Sequence, residues 1–267
     1  MNNLHRELAP ISSAAWHHID AEATRILKLK LAGRKLVDFV GPLGPTAAAV
    51  NTGRLAAISK GPAAGVQAAR REVLPLVHLE TAFELDRGEL DAVERGAEDP
   101  DVDAVKDAAS RLAQAEDAAV FQGYPSGGIE GMTERSPHSS ITIPKASEDY
   151  SKVVAQAVRV LHVAGVQGPY ALALGTRGYE ALAQATDGGY PVLKIVKSLI
   201  EGPVVWAPAV NGAVVLSTRG GDFELTVGRD LSIGYRSHSA EKVAFYLTET
   251  MTFRALTPEA AVALVYR

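Results

Sequence analysis

Cysteine is absent from the 267-residue sequence, and that excludes disulfides, thiolate metal sites and thiol nucleophiles at once. Long apolar runs are missing too, so nothing in the sequence is built to cross a bilayer. Residues 1–7 carry none of the apolar core a secretion signal needs, and a soluble cytoplasmic protein is the expectation. Positive charge is not in excess: 27 Lys and Arg stand against 31 Asp and Glu, a net charge of -4. Basic doublets occur only at Arg34-Lys35 and Arg70-Arg71, too little to mark a nucleic-acid surface. Aromatic residues make up 6% of the chain, and Ala and Val supply much of its apolar content, which suits close packing of small-sided helices.

Catalytic patterns are missing as well. The seven histidines, His5, His17, His18, His78, His138, His162 and His238, include no zinc-peptidase pair with an intervening Glu. Ser126 lacks the spacing of a nucleophile elbow, and no glycine-rich phosphate loop ends in Lys-Ser or Lys-Thr. Glu116 and Asp117 are neighbours on a helix, where adjacent side chains point apart, and read as solvated surface. No catalytic residue, metal ligand or cofactor site is therefore expected.

What is present is a regular alternation of elements. Ser12 and Ser13 can cap a helix whose apolar positions Trp16, Ile19, Ala23, Ile26 and Leu27 recur at helical spacing, with Gly33 as its stop. Leu36–Val40 reads as a short strand. Residues 46–74 form an Ala-, Gly- and Pro-rich arm, either a mobile loop or a segment that becomes ordered by adding strands to a neighbour. Val77–Leu85 alternates as a half-buried strand, Asp86 and Glu89 suggest a capping box, and an acidic stretch precedes a long helix near 101–122. Beyond Gly123 a second set of helices and strands runs to residue 218, with Val204–Trp206 and Val214–Leu216 predicted as a hairpin about Asn211-Gly212. From Arg219 to Phe253 the alternation predicts an antiparallel sheet, with Gly228 permitting a reversal between its first two strands.

Several motifs in collinear order resemble the family 1 encapsulin shell proteins. They are Leu8-Ala9-Pro10, Gly33-Arg34-Lys35-Leu36-Val37-Asp38, Leu90-Asp91-Ala92-Val93-Glu94-Arg95-Gly96 and Gly168-Pro169-Tyr170. Thr218-Arg219-Gly220-Gly221-Asp222-Phe223, Asp230 to Tyr235, and Glu249-Thr250-Met251-Thr252-Phe253 complete the set, which spans essentially the whole chain. The resemblance implies an α+β fold like that of tailed-phage major capsid proteins. Its parts would be the N-terminal helix and start of a peripheral domain (1–45), an extended arm (46–76) and the peripheral domain with its spine helix (77–123). An axial domain (124–218), the peripheral sheet (219–256) and a C-terminal segment (257–267) would follow.

The resemblance further implies a homo-oligomeric icosahedral shell, most simply of 60 copies. Such a shell encloses a cargo protein, a dye-decolorising peroxidase or a ferritin-like protein, through the cargo's C-terminal peptide. Positions matching the family's peptide groove are Ile26, Leu27, Arg34, Asp38, Phe39, Asp230, Leu231 and Ile233. On this reading Leu27, Phe39, Leu231 and Ile233 form an apolar floor, Arg34 and Asp38 fix the peptide's direction, and Ile233→Asp leaves an assembled but empty shell. Asp187, Gly188, Gly189 and Tyr190 match a pore turn, with Gly where some relatives carry His. Gly88 stands where some relatives have a flavin-stacking Trp, so no flavin is expected. A phage capsid protein enclosing DNA and a peptidase are the alternatives, the first disfavoured by the acidic balance and the second by the missing catalytic residues.

Overall fold

The computed structural model describes residues 3–266. Helix α1 (Ser13–Lys30) starts where its sequence cap stands: the Ser12 hydroxyl accepts the Ala15 N–H at 3.1 Å, satisfying one of the donors that a helix start leaves open. A single turn over Gly33–Lys35 follows, then strand β1 (Asp38–Val40). Gly33 is not the left-handed stop the sequence suggested, since the helix ends three residues earlier. It is glycine because the chain passes close to another element: an added Cβ would meet the Asp117 carboxylate at 3.1 Å and Val120 at 3.3 Å.

Strands β2 (Ala49–Ile58) and β3 (Ala68–Pro75) pair antiparallel with each other and, among the described residues, with no other strand. The segment around 46–76 is thus a two-stranded ribbon, and none of its strand residues is buried. Strand β4 (Val77–Asp86) then enters the first sheet, and Asp86 caps helix α2 (Arg87–Glu94) by accepting the Gly88 and Glu89 N–H groups. The reciprocal half of a capping box is not made, because the Glu89 carboxylate accepts the Asp101 N–H at 3.0 Å instead. Helix α3 (Asp103–Phe121) is the long spine.

The remaining elements are α4 (Met132–Arg135), β5 (Ile141–Thr142), α5 (Tyr150–Val163), β6 (Tyr170–Leu174) and α6 (Thr176–Gln184), then β7 (Thr186–Asp187), β8 (Tyr190–Pro191), α7 (Val192–Ile200), β9 (Glu201–Trp206) and β10 (Ala213–Ser217). The chain ends with β11 (Phe223–Val227), β12 (Ser232–His238), β13 (Lys242–Ala255) and β14 (Ala261–Val265). The first sheet has the order β1-β11-β13-β12, with β4 on the other side of β13. Its organising element is β13, whose buried odd-numbered residues from Val243 to Phe253 face the helices.

Three sequence expectations are corrected here. Gly228 does not reverse the chain: β11 and β12 run in the same direction along one edge of β13, and Gly228 to Leu231 bulge out opposite Glu249 and Thr250. The ladder continues through this bulge, where Thr250 bonds to Gly228 and Arg229. β9 and β10 are not a hairpin; β6 lies between them, parallel to β9 and antiparallel to β10. Both strands are apolar enough for an interior place, and the turn signal at Asn211-Gly212 could not reveal the strand inserted between them. The C-terminal segment is no separate piece either, because β14 is an inner strand of the second sheet, ordered β5-β14-β10-β6-β9.

Two hydrophobic cores result. One joins α1, α2, the first part of α3 and the Val243–Leu247 part of β13, with Trp16 edge-on to Phe245 at 5.3 Å. The other joins the end of α3 and the Met251–Phe253 part of β13 to the whole of the second sheet. Helix α3 and strand β13 each pass from one core to the other, and the residues at the crossing are polar: Glu116 and Asp117 on the helix, Glu249 on the strand.

Candidate functional site

Of the matched groove residues, Arg34 and Asp230 meet at this polar layer. The turn after α1 is held by Asp117, whose carboxylate accepts the Ala32 N–H at 2.9 Å and the Gly33 N–H at 2.8 Å. That anchorage aims Arg34 inward. Its Nε donates to both oxygens of Glu116 at 3.0 and 2.8 Å, and its Nη2 reaches Glu116 at 2.6 Å and Glu249 at 3.0 Å. Its Nη1 donates to Asp230 at 2.7 Å. One guanidinium thus clasps the spine helix, the central strand and the bulge before β12, a planar fork matched to carboxylates.

The electrostatics are those of buried charge. Glu116, Asp117 and Glu249 are each 0% exposed. Burial, together with the charge of Glu116 and a hydrogen bond with it, holds the Glu249 carboxyl well above the usual carboxylate range, against the pull of Arg34. One Glu249 oxygen has no hydrogen-bond partner among the described residues. Burial likewise pushes Asp117 up to about 7, although the two backbone N–H groups oppose the shift. For Arg34 burial acts downward, but the surrounding carboxylates outweigh it and its pKa is raised.

The structure brings Arg34, Phe39 and Asp230 together, with the guanidinium 5.2 Å from the centre of the Phe39 ring. Phe39 is 38% exposed. Asp230 and Leu231 are half-buried, and the Leu231 N–H donates to the Asp230 side chain at 2.8 Å. Ile26, Leu27 and Ile233 are in the first core, under 9% exposed. They support the patch from beneath and offer little surface to a ligand, so Ile233→Asp would strike folding before binding. Asp38 is turned elsewhere: it accepts the Gly221 N–H at 2.6 Å and lines a recess of about 170 Å³ beside Lys35 and Ser217. Arg34 and Asp38 therefore do not act as a pair, and Arg34 is largely spent on carboxylates of its own chain.

Sequence reasoning missed Glu116 and Asp117, which it read as solvated. The signal was present: Glu116 continues the Val105, Ala109, Leu112 series at helical spacing, and Asp117 continues Ala109 and Ala113. A charge on an apolar stripe is a buried charge in waiting for a partner.

The matched pore turn is a two-residue hairpin. Asp187 pairs with Tyr190, and Gly188 and Gly189 both have positive φ, at 55° and 84°, the geometry of a tight hairpin turn. All four residues are exposed. Among the described residues no group of three or more His, Cys, Asp or Glu could hold a metal ion, and no helix is long and apolar enough to cross a membrane.

This architecture, a ribbon beside a sheet with a long spine helix and a second α/β lobe, is that of capsid-like shell proteins. The virus-like particle from Pyrococcus furiosus matches it with a TM-score of 0.63 at 17% identity, over 91% of this chain and 96% of that one. The capsid of Myoviridae phage XM1 matches with a TM-score of 0.57 at 11% identity, over 89% and 92%. A family model described as an encapsulating protein for peroxidase matches residues 1–252. The type 1 encapsulin shell protein of Rhodospirillum rubrum is 51% identical over 99% of this chain and 96% of its own length. That of Mycobacterium tuberculosis is 46% identical over 99% of each. The chain belongs to the type 1 encapsulin shell proteins.

Proposed function

We propose that this chain assembles with copies of itself into a closed icosahedral shell and retains a guest protein by an extended C-terminal tail. The tail is seated on the patch formed by Phe39, Leu231 and Asp230. The observation that carries this reading is a partly exposed Phe39 ring and a half-buried Leu231, both next to the Arg34–Asp230 ion pair, on a base of packed side chains and buried ion pairs that cannot collapse around it. Burying two aliphatic side chains of a guest against such a surface contributes about 3–6 kcal/mol before the ordering of the tail is subtracted. A single site is then weak, and enclosure itself does the holding. The family model's description makes a peroxidase the first guest to test, with a ferritin-like protein the second.

The shell encloses rather than catalyses on this reading, and the exposed Asp187 to Tyr190 hairpin lines a fivefold opening with a mildly acidic rim. The test is co-expression with a tailed peroxidase guest. Phe39→Ser combined with Leu231→Ser should leave particles intact and cut guest per particle about tenfold, the equivalent of about 1.4 kcal/mol. Particles of the variant that carry as much guest as the parent would remove the patch from the function.

A further inference from the structure

The segment before α1 crosses from one wall of the first core to the other. Its root is fixed to α1: the Arg6 guanidinium makes a bidentate pair with Asp20 at 3.0 and 2.6 Å and lies 3.8 Å from the centre of the Trp16 ring. Its tip is tied to the sheet, where the Asn3 carbonyl accepts the Tyr246 hydroxyl at 2.9 Å and the Asn3 side chain accepts a hydrogen bond from Arg229. Tyr246 is an even-numbered residue of β13 and so stands on the face turned away from the helices. The chain thus hooks around the edge of the sheet. It does so over β12, where the Leu4 carbonyl accepts the Tyr235 N–H at 2.8 Å.

That bond falls on an edge that is otherwise open. Among the described residues β12 pairs with β13 and with no other strand. Successive residues of a strand turn their backbone groups alternately to one side and the other, so Ile233 points its N–H and C=O the same way as Tyr235. Among the described residues nothing answers them. An open row of backbone donors and acceptors is where an extended peptide adds as a further strand. The row begins at the guest patch, since Asp230 and Leu231 lead directly into β12. A tail that starts on the patch and runs on along β12 meets Ile233 first and then the bond held by Leu4.

We propose that residues 3–5 are a strap over the outer edge of β12, which the guest's extended tail displaces in order to pair with that strand beyond Ile233. The strap is built to swing. His5 has a φ of 52°, a left-handed conformation uncommon for a residue with a side chain, and it bends the chain between the fixed root and the tip. Release of the tip lets His5 return to an ordinary backbone conformation, while Arg6 keeps the root on Asp20. Asn3, Leu4 and His5 belong to neither core, so opening leaves both intact. A closed strap lowers the tail's apparent affinity in proportion to the fraction of subunits whose edge is covered. The inference rests on the tail-binding reading and adds to it a second stretch of contact and a competitor for that stretch.

The sequence has no cysteine, so one introduced thiol reports on the strap. Leu4 is half-buried on the moving tip, and Glu7 is exposed on the fixed root. Leu4→Cys and Glu7→Cys particles are labelled with a small maleimide, both empty and loaded with a tailed peroxidase guest whose own cysteines have been replaced by serine. Loading should raise the Leu4→Cys rate relative to the Glu7→Cys rate by about fivefold, because the tip opens and the root does not. Asn3→Ala with Tyr246→Phe removes the Arg229 and Tyr246 ties and touches neither core. This variant should carry about threefold more guest per particle when guest expression is limiting. A rate ratio that is the same in empty and loaded particles, or a strap variant that loads no better than the parent, overturns the proposal. The patch is judged separately: if Phe39→Ser with Leu231→Ser loads like the parent while the rate ratio still rises on loading, the patch assignment fails and the strap stands.

Discussion

Replacing Asp117 with Asn separates two roles of one buried carboxylate. In the parent the group holds the Ala32 and Gly33 N–H donors and is pushed up to about 7 by burial. The folded chain therefore keeps a proton that the unfolded chain gives up near the ordinary value of 3.8. Because the folded state binds more protons in this interval, its stability falls as pH rises through it, by about 1.4 kcal/mol per pH unit, and levels off above about 7. Asn has the same shape but cannot titrate. Its oxygen can accept one N–H and its amide faces the other, so the variant starts about 1–3 kcal/mol weaker in acid. Between pH 5 and pH 8 the parent should lose about 2–3 kcal/mol relative to the variant, so the gap closes or reverses. Urea unfolding followed by tryptophan fluorescence, at one subunit concentration throughout, measures both chains. Taking the difference removes the contribution of Glu249, which shifts in the same direction. A gap that is constant from pH 5 to pH 8 would refute the assignment of a raised Asp117.

Arg34→Met removes the one cation from the buried layer and leaves Glu116 and Glu249 without it, at a cost of about 3–5 kcal/mol. Adding Glu116→Gln and Glu249→Gln should recover most of that loss, which a urea midpoint reads directly. Gly212 has φ of 116°, and a Cβ there would lie 2.2 Å from the Leu264 carbonyl oxygen. Gly212→Ala should thus destabilise the second lobe by about 2–3 kcal/mol through backbone strain and the clash, visible as a lower melting temperature and poorer soluble yield.

Element identity was legible wherever a local rule governed it. The cap of α1 at Ser12, the alternation in β4 and the helical stripe of α3 all follow from spacing and side-chain chemistry within a few residues. Sheet topology was not legible on the same terms. Whether β10 pairs with β9 or with β6 depends on which apolar strand lies alongside, and all three look alike from within. The reading of Gly228 failed for a related reason: glycine marks a departure from regular backbone, but the same residue serves a bulge or a reversal, and the partner strand decides. At the site, Phe39, Asp230 and Arg34 do come together, whereas the supposed peptide cation turned out to have its bonds filled by Glu116 and Glu249. Those carboxylates lie 82 and 215 residues away from Arg34, a distance at which no local pattern reveals a partner. What the sequence did offer was the anomaly itself, two acids in the middle of an apolar stripe.

The polar layer between the two cores also acts as an alignment key. Small apolar side chains such as the alanines of α3 pack almost as well after a shift of one helical turn, so the apolar contacts alone would tolerate the spine sliding against β13. A shift of one turn would carry Glu116 about 5.4 Å along the helix axis and strand it among alanines with no cation in range. Only one registration lets a single guanidinium meet Glu116, Glu249 and Asp230 together. The relative placement of the first sheet and the second lobe is thereby made the same in every subunit, and uniform subunits are what a closed surface built from many copies requires.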